Sequence, residues 1–227
     1  MTPTGAARRP APRLRDLPAP RENPSVIGPL FRWVFQWPYR VALAGLYRLG
    51  FRPWQLTALS LVANIIIGWL LLSGRRLVPG LLLLVAGLLD VFDGGVARLR
   101  GEESKKGALL DSTVDRVCDG IVFGAVFLAE AAIHRNELTA ALALVAMVAS
   151  LLTSHVRAEG EAAGLKITEG SVQRLERYVA MILGLTIPGA LLPALALLAA
   201  LGLVTTVQRL VWAWRALGDR RSRNRVA

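Results

Sequence analysis

Apolar residues run along this chain in blocks long enough to cross a bilayer, separated by short polar stretches in which arginine dominates. Six blocks fall at roughly 54–73, 77–98, 107–133, 137–157, 176–194 and 195–214. About 20 apolar residues rising 1.5 Å each cover about 30 Å of hydrocarbon, so every block predicts a transmembrane helix. Pro188 and Pro193 mark the turn between the last two, because proline is poorly accommodated inside a helix. Residues 25–52 carry a different pattern, in which apolar positions alternate with Arg32, Arg40, Arg48 and Arg52 while Trp33, Trp37, Tyr39 and Tyr47 supply rings suited to an interface. That predicts an amphipathic helix lying on the membrane and broken near Pro38; the charges recur too often for a further span. Residues 1–24, rich in proline and arginine with no signal-peptide core, predict a disordered tail, and residues 218–227 a basic one. The expected fold is an all-α integral membrane protein: six transmembrane helices within 53–217, preceded by an N-terminal juxtamembrane amphipathic helix.

Composition sharpens this picture. The chain has 227 residues, a mean hydropathy of +0.47, a net charge of +11 and one cysteine, Cys118, which excludes an intrachain disulfide and reads as a small core side chain. With the N-terminus inside, the cytoplasmic side receives the arginines of the first 52 residues, then Arg98, Arg100, Lys105 and Lys106, then Arg157, Lys166, Arg174 and Arg177, then Arg209, Arg215 and the basic tail. The outside receives only Arg75, Arg76 and Arg135. The positive-inside rule therefore places both termini in the cytoplasm of a multi-pass plasma-membrane protein. Because the positive charge tracks the loops, it answers to anionic membrane lipids and topology, and nucleic acid is excluded as a partner.

Against this background, four aspartates stand where lipid-embedded helix is expected: Asp90 and Asp93 at the end of the second span, Asp111 and Asp115 at the start of the third. Carboxylates near a bilayer core cost several kcal/mol, roughly, unless they bind ions or do chemistry. Spacings of three and four put each pair on one helix face. Joined, the two faces concentrate four hard oxygen ligands that suit Mg²⁺ or Mn²⁺, and two ions rather than one. Both pairs lie at the cytoplasmic ends of their spans, where nucleotides are found.

The stretch Asp90-Val-Phe-Asp93-Gly94-Gly95-Val96-Ala97-Arg98, eight residues, then Gly107-Ala-Leu-Leu-Asp111-Ser-Thr-Val-Asp115 resembles the signature of the CDP-alcohol phosphotransferase family position for position. The likeness is strongest over roughly 54–178, and within the family it leans toward the phosphatidylinositol-phosphate synthase branch. It implies transfer of a phosphatidyl-type group from CDP-diacylglycerol to an alcohol with release of CMP. Asp90, Asp93, Asp111 and Asp115 would ligate the metal, and Asp115 would also be the general base. Asp93, Gly94, Ala97, Arg98, Ser104 and Gly107 would meet the nucleotide, the glycines by letting phosphate approach the backbone and Arg98 through its planar fork. Ser104 stands where the family commonly has threonine. Homodimers are common in the family and are expected here.

For the acceptor, Ser154-His155-Val156-Arg157 and Gln173-Arg174-Leu175-Glu176-Arg177 resemble segments that in inositol-phosphate users form a basic pocket, which implies Arg157, Arg174 and Arg177 as acceptor-binding residues. Glu159 and Leu175 depart from that pattern, so a small phosphorylated polyol is expected, inositol phosphate first and glycerol 3-phosphate as the alternative. Asp119, one turn beyond Asp115, reads as an ion-pair partner or as a support behind the ligands rather than a ligand itself. Three competing readings fit less well. A structural charge network with Arg98 and Arg116 leaves negative charge unbalanced, an ion-binding membrane protein or transporter spreads its acidic groups over more helices, and prenyl-diphosphate transferases lack this glycine and alanine–arginine spacing.

Overall fold

The computed structural model of the chain describes residues 28–165, 167 and 174–226, with side chains described for 33–165, 167 and 175–218; the expected tail over 1–24 lies outside them. Every regular element among the described residues is a helix. They are α1 (Gly28–Arg48), α2 (Pro53–Leu72), α3 (Leu77–Arg100), α4 (Lys105–Leu128, extended by a π-helical turn over Ala129–Ile133), α5 (Glu137–Ala162), α6 (Arg174–Thr186) and α7 (Leu191–Val226).

Four of these, α2, α3, α5 and α7, are long and apolar enough to cross a membrane. The expected count of six is not met by that measure, for two physical reasons. The first 15 residues of α4 carry Lys105, Lys106, Asp111, Asp115, Arg116 and Asp119, which lowers its hydropathy, and α6 has only 13 residues, about 20 Å of helix. Helix α1, though 21 residues long, is not among the four. Its expected break is absent: the helix continues through Pro38, held by Tyr39 and Leu43, which are buried against α3. Trp33 and Trp37 on α1 are exposed, as an interfacial face requires. The turn between the last two helices is Ile187–Ala190, so Pro188 lies in it, whereas Pro193 sits in the first turn of α7, where a missing N–H costs nothing. Helix α7 runs on through the segment expected as a tail.

The packing closes into a ring. Helix α2 packs on α3, α3 on α6, α6 on α7, α7 on α5, α5 on α4, and α4 back on α2, with α1 attached to the outside of α3. Ile67, Leu83, Val122, Phe123, Val126, Ala143, Met181 and Leu195 fill its centre. Small residues set the closest approach. A Cβ on Gly202 of α7 would stand 2.9 Å from the Cβ of Ala149 on α5, so no larger residue fits without separating those helices. Helices α3 and α4 are adjacent in sequence, yet each packs chiefly on α2, which leaves room between their facing ends for something other than side-chain packing.

Candidate metal and substrate site

The link between the two acidic helices explains the eight-residue gap between their motifs. Helix α3 stops at Gly101, whose φ of 64° is the left-handed conformation that closes a helix C-terminus. Three residues later Ser104 caps α4, its hydroxyl accepting from the Gly107 amide at 3.0 Å. A Cβ on Gly107 would lie 3.2 Å from that hydroxyl, so the glycine fits the cap closely. The gap thus holds the last residues of α3, a stop, a cap and the first residues of α4, which brings the acidic ends of both helices to one end of the ring.

There, one carboxylate oxygen each from Asp90, Asp93 and Asp111 lie within 4.8 Å of one another. Asp115 is not part of that group; it lies one turn deeper along α4 and is half-buried. Asp93 is buried, 5 % exposed, and its Oδ2 accepts from the Thr57 hydroxyl at 2.7 Å. Thr57, near the start of α2, also bonds the Pro53 carbonyl at 3.2 Å. Three oxygen donors from two helices at this separation, one of them oriented by a hydroxyl, fit a hard divalent cation.

The opposite face of α3 carries α1. The Tyr39 ring stacks on Phe92 with centroids 5.3 Å apart, and its hydroxyl accepts from Arg98 Nη2 at 3.4 Å. Gly95 admits this contact, since a Cβ there would run into Tyr39 and Leu43. Tyr39 is therefore a neighbour of the motif rather than the interfacial anchor its surroundings in the sequence suggested. Gly94 is less crowded: a Cβ would meet only Arg98 Nη1, at 3.6 Å.

Of the three arginines expected to bind an acceptor, Arg157 and Arg177 each have a protein partner of their own. Arg157 is exposed and its Nε bonds Glu161 at 2.8 Å on α5. Arg174 opens α6, and its side chain lies outside the described residues. Arg177 turns inward to Ser150 and stands 3.5 Å from Asp119 Oδ2, which confirms Asp119 as an ion-pair partner. Two further arginines, neither expected at an acceptor site, join this region. Arg116 Nη2 donates to the Ser154 carbonyl at 3.3 Å, and Arg209, 4 % exposed, donates to the Thr153 carbonyl at 2.9 Å. The signal for Arg209 was present: it falls four residues after Thr205 near the end of an apolar run, where a charge must find a protein partner or reach the interface.

A helical membrane protein with a carboxylate cluster for a divalent cation is the class that this fold and site define. A family model for the CDP-alcohol phosphatidyltransferase domain matches residues 51–213. The chain is 38 % identical over 177 residues to a phosphatidylinositol phosphate synthase of Corynebacterium glutamicum, covering 74 % of this chain and 80 % of the relative. Its structure resembles that of the Mycobacterium tuberculosis phosphatidylinositol phosphate synthase solved with CDP-DAG bound (TM-score 0.70, 31 % identity, 76 % of this chain and 92 % of that one). It resembles equally a structure of the same enzyme in complex with manganese and citrate (TM-score 0.70, 31 % identity, 76 % and 87 %). The chain belongs to the CDP-alcohol phosphatidyltransferase family. It is a transferase of phospholipid synthesis that moves a phosphatidyl-type group from a CDP-linked lipid to an alcohol, releases CMP, and binds a divalent metal.

Proposed function

We propose that this enzyme transfers the phosphatidyl group of CDP-diacylglycerol to inositol phosphate, with two Mg²⁺ or Mn²⁺ ions held by Asp90, Asp93 and Asp111. The observation that carries the reading is the convergence of those three carboxylates from α3 and α4. The acceptor is supported by the relatives, which are phosphatidylinositol phosphate synthases. Bound divalent ions would neutralise the diphosphate and polarise its bond to the leaving CMP. Asp115, set one turn apart from the three, takes the proton of the acceptor hydroxyl as that oxygen bonds to the β-phosphorus. The bond from that phosphorus to the bridging oxygen breaks, and CMP departs with the electron pair. Arg98 and the backbone near Gly94, Ala97, Ser104 and Gly107 face the nucleotide, and Arg177 the acceptor phosphate. Helices α4 and α6 complete six spans, and the lysine and arginine distribution supports a site facing the cytoplasm.

An acceptor screen tests this. Purified protein with CDP-diacylglycerol and Mn²⁺ should release CMP with inositol phosphate, and far more slowly with free inositol or glycerol 3-phosphate. Equal rates with glycerol 3-phosphate would move the assignment to that acceptor.

A further inference from the structure

Asp119, Ser150 and Arg177 come from α4, α5 and α6 and meet one turn below Asp115. The Ser150 hydroxyl donates to Asp119 Oδ2 at 2.6 Å and accepts from Arg177 Nη1, so its single proton is directed at the carboxylate and a lone pair is left facing the guanidinium. The same Nη1 reaches the Ser150 carbonyl at 3.3 Å and stands 3.5 Å from Asp119 Oδ2. Three acceptors thus converge on one nitrogen of the fork. Both charged side chains are only 15 % exposed, so neither is loosely solvated.

An ion pair serving packing alone contributes little net stability once desolvation is counted. This pair engages Nη1 and leaves the Nε and Nη2 hydrogens of the same rigid plane without a partner among the described residues. The cavity beside it, about 20 Å³ and walled by Leu83, Val122, Phe123 and Met181, holds no more than one water. That cavity is too small for a phosphate, which leaves the Nε and Nη2 edge to meet one. Asp119 lies four residues after Asp115 on the same helix face, about 6 Å along the axis.

We propose that Asp119, acting through the Ser150 hydroxyl, is a positioning residue for Arg177: it anchors one edge of the guanidinium so that the other edge takes the acceptor's phosphate at a set distance from Asp115. This rests on the acceptor role of Arg177 stated above. A pre-oriented fork loses less freedom when the anion binds, so the effect belongs to acceptor affinity rather than to chemistry or donor binding.

Steady-state kinetics with inositol phosphate, CDP-diacylglycerol and Mn²⁺ test the proposal. Asp119→Asn and Ser150→Ala should each raise KM for inositol phosphate about 5- to 20-fold, the scale of a weakened charge-assisted contact. KM for CDP-diacylglycerol and Mn²⁺ binding should hold within about twofold. Ser150→Thr, which keeps the hydroxyl, should restore near-normal acceptor KM. In an Arg177→Ala background, Asp119→Asn should add nothing further. The proposal is overturned if the effect of Asp119→Asn persists in that background, if acceptor KM falls because Asp119 merely competes with phosphate, or if Ser150→Ala matches the wild type. Should Asp119→Asn fail to purify, the two serine variants decide. If Arg177→Ala alone leaves acceptor KM unchanged, the acceptor role of Arg177 is gone and the proposal with it, while unchanged CMP release would leave the family's chemistry standing.

Discussion

Asp93 is the most enclosed of the motif carboxylates, and the Thr57 hydroxyl sets the rotation of its side chain. A buried ligand oriented in this way governs affinity, whereas a carboxylate standing apart can be lost with the cation still held. Asp93→Asn should therefore abolish Mn²⁺ binding measured by electron paramagnetic resonance on the purified protein. Thr57→Val should weaken it about tenfold and Thr57→Ser much less. Asp115→Asn should keep most of the binding while losing nearly all CMP release, as a general base requires. Mn²⁺ loss in Asp115→Asn equal to that in Asp93→Asn would make Asp115 a ligand first.

At the scale of elements, the contacts that hold the site are helix crossings made close by small residues. Helices α5 and α7 meet where Gly202 faces Ala149, and the Thr153 hydroxyl joins them by bonding the Gly202 carbonyl at 3.2 Å and Thr206 at 2.8 Å. Gly202→Leu would force the two helices apart at a cost of about 1–3 kcal/mol and shift the Thr153–Arg209 contact with them. The expected result is a lower unfolding temperature in detergent; an unchanged one would mean that the crossing has slack. On the far side of the bundle, Glu130 in the π-helical turn is 2 % exposed and pairs with Arg76 at 2.6 Å, which joins the α2–α3 link to the end of α4. Neither partner stands out in the sequence, because each is one charge in a loop or at the end of an apolar run.

For the whole molecule, the ring order and the charge distribution carry one prediction about topology. With the acidic ends of α3 and α4 on the cytoplasmic side, a cysteine replacing exposed Glu102 in a Cys118→Ser background should be shielded from an impermeant thiol reagent in intact cells. One replacing exposed Glu137 should be labelled. The reverse result would put the acidic site on the wrong side for a cytoplasmic nucleotide and overturn the proposed mechanism.

The helices and the acidic motif were legible in the sequence because both are local. Apolar runs set helix lengths through the rise per residue, and spacings of three and four set a shared face, so Asp90 with Asp93 and Asp111 with Asp115 needed no tertiary information. The same locality marked Gly107 and Ser104 as special without saying that one caps the other. What the tertiary structure alone decided are relations between helices distant in the chain. It gathered Asp90, Asp93 and Asp111 into one group, oriented Asp93 through Thr57, buried Tyr39 against the motif helix, and carried α1 unbroken through Pro38. It also set Arg177 on Asp119 and Ser150. Each of these depends on which neighbour a face meets in the ring. A periodic apolar face specifies burial but not partner, because any complementary apolar helix would satisfy it; the partner is chosen by where small residues let backbones approach and by which buried polar groups find one another.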